Sequence, residues 1–261
     1  MKMPRKVKIF GERNTSTNAL SHVIRSNSRA ELLPGTVGEL PTRYNWMFAV
    51  ARSLRIARKP IREALIDQAF SNTPPSHKWK HCATNFEDVS SFTDTLVVFC
   101  VRNPASWLLA LQRKPYHAKN TVPQDFGTFL KMKWPTLGRE NLEKYAPTPV
   151  ELYNEKIKSY SNLIKKLDER KIKWTLVKFE DFAADQEFVF EALRPHLPHP
   201  ERSFTPITRS TKEKGKDLEF YKTYYGRELW KNEIQKHDVR ALKKSIDWSL
   251  ASSFGYEKDC I

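Results

Sequence analysis

Three short apolar runs, each followed by a polar turn and then by a segment with helical spacing, constrain the fold of this chain most strongly. They comprise residues 7–10, 95–101 and 173–179 and are rich in β-branched and aromatic residues. Such runs are typical of strands, and strands that alternate with helices are typical of a parallel sheet covered by helices. The sequence therefore predicts an α/β fold with a parallel central sheet flanked by helices.

The remaining segments divide into predicted helices and predicted loops. Residues 43–70 and 149–171 have apolar residues at steps of three and four and are predicted to be helical. Residues 114–149 have weaker periodicity, and we interpret them as a substrate-side insertion that crosses the sheet edge. Residues 204–217 are predicted to form an irregular basic loop, and residues 240–257 a closing helix.

Size and charge restrict the organisation and the partners of the protein. Its length favours a single domain over residues 1–261. The net charge of +15 predicts a polyanionic partner, such as nucleic acid, acidic lipid, acidic polysaccharide or a phosphate-rich small molecule. Three cysteines without metal-ligand spacing fit a reduced compartment. Without a signal peptide or a long apolar run, we predict a cytoplasmic protein with no membrane span.

The turn after the first predicted strand has the composition of an anion site. A strand that ends in a glycine-containing turn and feeds a helix leaves backbone N–H groups unpaired at the positive end of that helix. Thr15, Ser16 and Thr17 add hydroxyl donors and Arg13 adds charge, although the same residues also suit an ordinary helix cap. The turn lacks the glycine and lysine spacing of ATPase and dinucleotide loops, which disfavours both classes.

Arg102 follows the second predicted strand directly. Ligands of open α/β sheets bind at the carboxyl ends of the strands, and an arginine there can form a forked contact with phosphate. The alternative interpretation is an arginine in a surface ion pair.

Taken in order, these motifs resemble the sulfotransferases that use 3′-phosphoadenosine 5′-phosphosulfate (PAPS). The hydroxyl-rich turn is followed by "VRNP" at 101–104, "LVKFED" at 176–181, "KGK" at 214–216 and "FGYE" at 254–257. The resemblance implies a P-loop-like three-layer sulfotransferase architecture. It also implies PAPS as the sulfate donor and adenosine 3′,5′-bisphosphate as the product.

The resemblance assigns the opening turn to the 5′-phosphosulfate of the donor. The residues that match the family's cradle are Asn14, Thr15, Ser16, Thr17 and Asn18. Asn14 stands at the position of the usual lysine and Ser16 at that of the usual glycine. Arg13, next to the lysine position, is the candidate to carry charge onto the leaving phosphate, although arginine and lysine are not interchangeable.

The resemblance assigns two further elements to the 3′-phosphate and the adenine. Arg102 matches the family's phosphate-binding arginine, whereas Ala110 stands where the family has a serine; Ser106, one turn earlier, is a partial substitute. A basic loop near the C-terminus covers the same phosphate and the adenine. Its counterparts here are Arg209, Lys212, Lys214 and Gly215.

Sulfate transfer needs a base for the acceptor hydroxyl, because a hydroxyl is too weakly acidic to attack as a free alkoxide near neutral pH. By the same resemblance, His81 is the candidate base and Lys80 its charge-stabilising neighbour, with His77 and His117 as further candidates. The implied reaction is in-line displacement onto a hydroxyl or amine, with a carbohydrate as the favoured acceptor. No metal cofactor is predicted.

Three other interpretations stay open. A nucleic-acid-binding protein would account for the charge and the aromatic residues, although the sequence has no recognisable binding module. A nucleotide kinase on a related phosphate-loop fold would need the missing glycine and lysine. With Asn14, Ser16 and Ala110 all departing from the family pattern, the chain also fits a degenerate member that binds the donor poorly. The oligomeric state is not predicted.

Overall fold

The protein is built on a four-stranded, all-parallel sheet with the strand order β2-β1-β3-β4. The computed structural model describes residues 4–40, 44, 59–118, 121–143, 147–208 and 215–261. The strands are β1 (Lys6–Gly11), β2 (Glu31–Leu32), β3 (Thr95–Val101) and β4 (Trp174–Lys178). The predicted α/β class with a parallel central sheet is confirmed, and β1, β3 and β4 coincide with the three predicted strands.

Ten α-helices occur in the described ranges, and short 3₁₀ turns connect several of them. Many begin at a capping residue; for example, Asn103 accepts hydrogen bonds from two first-turn N–H groups, directly before Pro104. The helices are α1 (Thr17–Asn27), α2 (Lys59–Ser71), α3 (Pro104–Arg113), α4 (Phe126–Lys131), α5 (Pro149–Glu169), α6 (Phe179–Ala184), α7 (Gln186–Leu193), α8 (Leu218–Gly226), α9 (Lys236–Ser245) and α10 (Trp248–Ser253). None of them is long and apolar enough to cross a membrane.

Helices cover both faces of the sheet. Successive side chains of a strand point to opposite faces, so Ile9 belongs to a core cluster with residues of α1 and α7. Phe10 belongs to a second and larger cluster on the other face, with residues of α3 and α5. The arrangement is consistent with a three-layer α/β fold.

One segment differs from its prediction, and another has a feature that its prediction did not include. Residues 240–257 form parts of two helices rather than one, because the chain is extended at Ile246 and Asp247 and the Asp247 side chain caps α10. In residues 114–149, Phe129 and Trp134 are completely buried. This segment therefore contributes to the core, and its interpretation as a substrate-side insertion stays a prediction. Of the predicted helical region 43–70, the part before α2 lies outside the described residues except for Tyr44.

The sheet topology fixes where a ligand can enter. From β1 the chain passes to β2 on one side, and β3 lies on the other, so the carboxyl ends of β1 and β3 are neighbours and leave a crevice between the connections that follow them. Gly11 ends β1 beside Cys100. A Cβ at Gly11 would lie 2.7 Å from the Cys100 Cβ and 2.8 Å from the Thr15 Oγ1, so only glycine allows this close approach.

Candidate functional site

The loop between β1 and α1 is shaped by two residues with left-handed backbone conformation. Asn14 has a φ of 67° and Ser16 a φ of 63°. Ser16 is the N-cap of α1, yet its side chain makes no capping hydrogen bond, and the first turn of α1 contains no acidic residue. The partial positive charge at the start of α1 is therefore not offset by a side chain of its own loop.

A cavity of about 320 Å³ lies at this place. Its wall includes Asn14, the first three residues of α1, Arg102 and parts of α3, α6 and α8. The cavity therefore lies at the carboxyl ends of β1 and β3, where the strand order reverses. Both the start of α1 and a buried arginine contribute to one wall, which is a combination suited to an anionic ligand.

Arg102 is the buried cation of the cavity wall. Its side chain is almost completely buried: Nε donates to Ser106 Oγ at 2.8 Å and Nη1 donates to the Asn14 carbonyl at 2.8 Å. The guanidinium carbon lies 4.0 Å from the ring centre of Phe179 and 4.8 Å from that of Tyr225. Within the described ranges no carboxylate forms an ion pair with it. It is therefore not the surface ion pair that the sequence also allowed.

The other predicted donor-site residues are only partly brought together. Thr17 and Asn18 line the cavity, and the Asn18 Oδ1 accepts a hydrogen bond from Lys80 Nζ. Thr15 is buried and its hydroxyl donates to the Glu12 carbonyl at 2.6 Å. Ser106 is also buried, so it orients Arg102 instead of facing the cavity.

Residues 209–214 of the predicted basic loop lie outside the described residues, and they include three of its four candidate ligand residues. Arg209, Lys212 and Lys214 all lie in the part of the chain that is not described. Gly215 is described; it is exposed, has a φ of 85° and is not part of the cavity wall. Lys216, directly after it, does line the cavity.

Arg13 is not part of the cavity wall. Its Nη2 forms an ion pair with Glu140 Oε1 at 2.9 Å and lies 3.3 Å from His117 Nδ1. The guanidinium carbon lies 4.7 Å from the Trp79 ring centre, and the residue is only 4% exposed. In this arrangement Arg13 neutralises a buried carboxylate, and the expected role toward a leaving phosphate stays a prediction.

His81 lies against the end of β1. Its Nδ1 is 2.5 Å from the Gly11 carbonyl oxygen, and because a carbonyl only accepts, Nδ1 carries the proton. The same segment is fixed by a hydrogen bond from the Gly11 N–H to the Lys80 carbonyl at 2.9 Å. Burial lowers the pKa of Lys80.

The two further candidate histidines are held in other contacts. His117 places Nε2 at 2.5 Å from the Pro135 carbonyl and Nδ1 toward Arg13, so both ring nitrogens are engaged. Burial, followed by the charge of Arg13, lowers its pKa. His77 places Nδ1 at 3.0 Å from Ser76 Oγ, and burial lowers its pKa also. Of these three histidines, His81 is the one in contact with the end of β1. None of the three, nor Lys80, is part of the cavity wall, and the catalytic roles of His81 and Lys80 stay predictions.

Several cavity residues were missed at the sequence level. They come from the end of α3, from α8 and from the turn after α8, and they are Arg113, Lys114, Tyr221, Tyr224, Tyr225 and Glu233. The tyrosines recur at steps of three and four, a helical pattern that could have revealed the inward face of α8. The position of Glu233 depends on tertiary packing and leaves no local signal.

The comparisons with known proteins leave the function to be argued from the residues. No protein-family model matches the chain, and no curated protein is a significant match. Among the described residues, no group of three or more His, Cys, Asp or Glu side chains is arranged to hold a metal ion.

Proposed function

We propose that the protein is a sulfotransferase of P-loop-like architecture that transfers a sulfuryl group from PAPS to a hydroxyl or amine acceptor. One observation carries the proposal: Arg102, buried and without a carboxylate partner in the described ranges, faces the same cavity as the uncapped start of α1. Two positive features at the point where the strand order reverses suit a nucleotide with anionic groups at two positions.

The donor is oriented by these two features. The first turn of α1, at Ser16, Thr17 and Asn18, receives the 5′-phosphosulfate, and Arg102 receives the 3′-phosphate. Phe182 and Ile207 line the cavity and offer apolar surface to the adenine. Because Arg102 is buried, its guanidinium has lost contact with water. Contacts with phosphate oxygens would replace that hydration.

In the proposed reaction, the acceptor oxygen attacks sulfur while the bond from sulfur to the bridging oxygen of the 5′-phosphate breaks. His81 takes the acceptor proton on Nε2, and the hydrogen bond from Nδ1 to Gly11 holds the ring in that tautomer. Lys80 and the start of α1 stabilise the charge that develops on the leaving oxygen. A carbohydrate hydroxyl is the acceptor that we propose.

Thermal denaturation with three ligands tests the proposal. Adenosine 3′,5′-bisphosphate is expected to raise the melting temperature, because a ligand that binds only the native state stabilises it. ATP with magnesium and a short oligonucleotide are expected to leave it unchanged. A shift with ATP and magnesium alone would identify a nucleotide kinase instead, and a shift with the oligonucleotide alone a nucleic-acid-binding protein.

Matched variants connect the ligand with the residues. Arg102→Ala is expected to abolish the shift with the bisphosphate, whereas Arg240→Ala, which removes an exposed positive charge from α9, is expected to keep it. His81→Ala is expected to keep the shift and to lose transfer of labelled sulfate from PAPS to a panel of acceptors. Normal transfer by His81→Ala would place the base elsewhere.

A further inference from the structure

An arginine and a glutamate are paired within the wall of the same cavity. Arg113, the last residue of α3, contacts the Glu233 carboxylate through Nη2, and its Nη1 donates to the Tyr224 hydroxyl at 2.9 Å. The Tyr224 hydroxyl in turn donates to the other oxygen of Glu233. All three residues line the cavity. A carboxylate thus occupies a position among cationic groups, where it opposes the binding of an anion.

The pair is held weakly enough to be exchanged. The Arg113 side chain is 40% exposed and that of Glu233 is 39% exposed. Water and salt screen the attraction in an ion pair of this exposure, and most of its energy is offset by the ordering of two long side chains. A phosphate has more charge and more acceptor oxygens than a carboxylate, so it is the stronger partner for a guanidinium fork.

Arg113 lines the same cavity as Arg102, the proposed ligand of the 3′-phosphate. Ala110 and Arg113 are three residues apart on α3 and therefore share a helix face. The Ala110 carbonyl accepts a hydrogen bond from Asn14 Nδ2 at 3.2 Å, and the Asn14 carbonyl accepts from Arg102. An anion bound over Ala110 would thus lie between the two arginines.

We propose that Arg113 is a second phosphate-binding arginine of the cavity and that Glu233 competes with the phosphate for it. The inference rests on the proposed function in that adenosine 3′,5′-bisphosphate is taken as the ligand. It makes Arg113 a determinant of specificity: a nucleotide with a second phosphate displaces the carboxylate from Arg113, and a nucleotide with one phosphate does not. Glu233 lowers the affinity for the second phosphate, because it must be displaced first.

Calorimetric titration of four proteins tests the inference: the wild type, Glu233→Gln, Arg113→Gln and the double variant. Glu233→Gln is expected to bind the bisphosphate about fivefold more tightly, with adenosine 5′-monophosphate affected less than about twofold. Arg113→Gln is expected to bind the bisphosphate more weakly, and in that background Glu233→Gln gives no gain. Glu228→Gln, which removes an exposed charge outside the cavity, is the matched control and is expected to equal the wild type.

Unchanged or weaker binding by Glu233→Gln would overturn the inference. An equal gain in affinity from Glu233→Gln with and without Arg113 would also overturn the inference, because Glu233 would then act only through the general electrostatic potential of the cavity. If the wild type does not bind the bisphosphate, the proposed function fails, and inorganic pyrophosphate then becomes the probe for the same four proteins. A gain on Glu233→Gln that requires Arg113 supports the inference, and its absence overturns it.

Discussion

At the scale of single residues, Asn14 and Ser16 both have a left-handed backbone conformation, but asparagine tolerates it better than serine does. Asparagine adopts this conformation readily, whereas serine adopts it at a cost. Ser16 has a φ of 63° and no capping hydrogen bond to compensate. It stands at the position where the family resemblance implies glycine, and that resemblance stays a prediction. The strain is located at the residue that turns the chain into the candidate phosphate site.

Ser16→Gly is therefore expected to stabilise the protein by about 0.5–1 kcal/mol, because glycine removes the Cβ that makes this conformation costly. Ser21→Gly, the same substitution inside α1, is expected to destabilise by about 0.5 kcal/mol through loss of helix propensity. Urea denaturation of both variants measures the two changes in the free energy of unfolding, which are expected to have opposite signs. A Ser16→Gly variant less stable than the wild type would contradict this account of the loop.

The position of a residue was predictable from the sequence when the residue directly follows a strand. It was not predictable when the position depends on a partner far away in the chain. Arg102 could be assigned to the ligand crevice because it comes directly after a strand. Arg13 could not be placed, since its partner Glu140 is 127 positions away in the chain. The pairing of Arg113 with Glu233 escaped prediction for the same reason.

At the scale of elements, agreement follows the length and clarity of the local pattern. The predicted strand 95–101 coincides with β3, whose residues are all buried, whereas β2 has only two residues and gives no pattern to detect. The division between α9 and α10 was missed because apolar spacing continues across it. The Asp247 cap that separates them was the available signal.

One contact between elements fixes the candidate catalytic segment. Lys156, on α5, forms an ion pair with Glu12 at 2.7 Å and donates to the His81 carbonyl. The two side chains are 1% and 6% exposed. Each charge is therefore stabilised mainly by the other instead of by water. The pair joins α5 to the loop after β1 and to the segment that carries His81.

Lys156→Met is expected to destabilise the protein by about 3–5 kcal/mol, because it leaves the Glu12 carboxylate buried without its cation. The double variant Lys156→Met with Glu12→Gln is expected to recover at least about 2 kcal/mol of this loss, since no charge then remains unpaired. Chemical denaturation of the three proteins gives the comparison. Additive losses in the double variant would show that the pair is not coupled.

At the scale of the whole molecule, three of the four strands were predictable and the strand order was not. The strands β1, β3 and β4 have local signatures, but the order β2-β1-β3-β4 depends on tertiary packing. That order brings the ends of β1 and β3 together. The cavity, and with it the candidate site, is therefore a property of the topology rather than of any one motif.

The global stability is expected to depend on pH through a lysine in the centre of the sheet. Burial lowers the pKa of Lys8 from 10.5 to about 7, while its Nζ contacts the Pro34 and Lys78 carbonyls. Between about pH 7 and pH 10.5, Lys8 is protonated in the unfolded state and neutral in the folded state. Stability therefore rises with pH in this window, by about 1.4 kcal/mol per pH unit at most.

Lys8→Met removes this contribution, so the wild type is expected to gain more stability than the variant between pH 7 and pH 9. The difference between the two slopes isolates Lys8 from the other lysines, which titrate in both proteins. Urea denaturation at the two pH values measures it. Equal slopes would show that Lys8 stays charged in the folded state.

The central claim is that the crevice between the ends of β1 and β3 binds a nucleotide with two phosphate groups. A crystal structure with adenosine 3′,5′-bisphosphate tests it most directly. The account predicts one phosphate at the first turn of α1 and the other in contact with Arg102. Ordered nucleotide at any other place, with this crevice filled only by water, would contradict it.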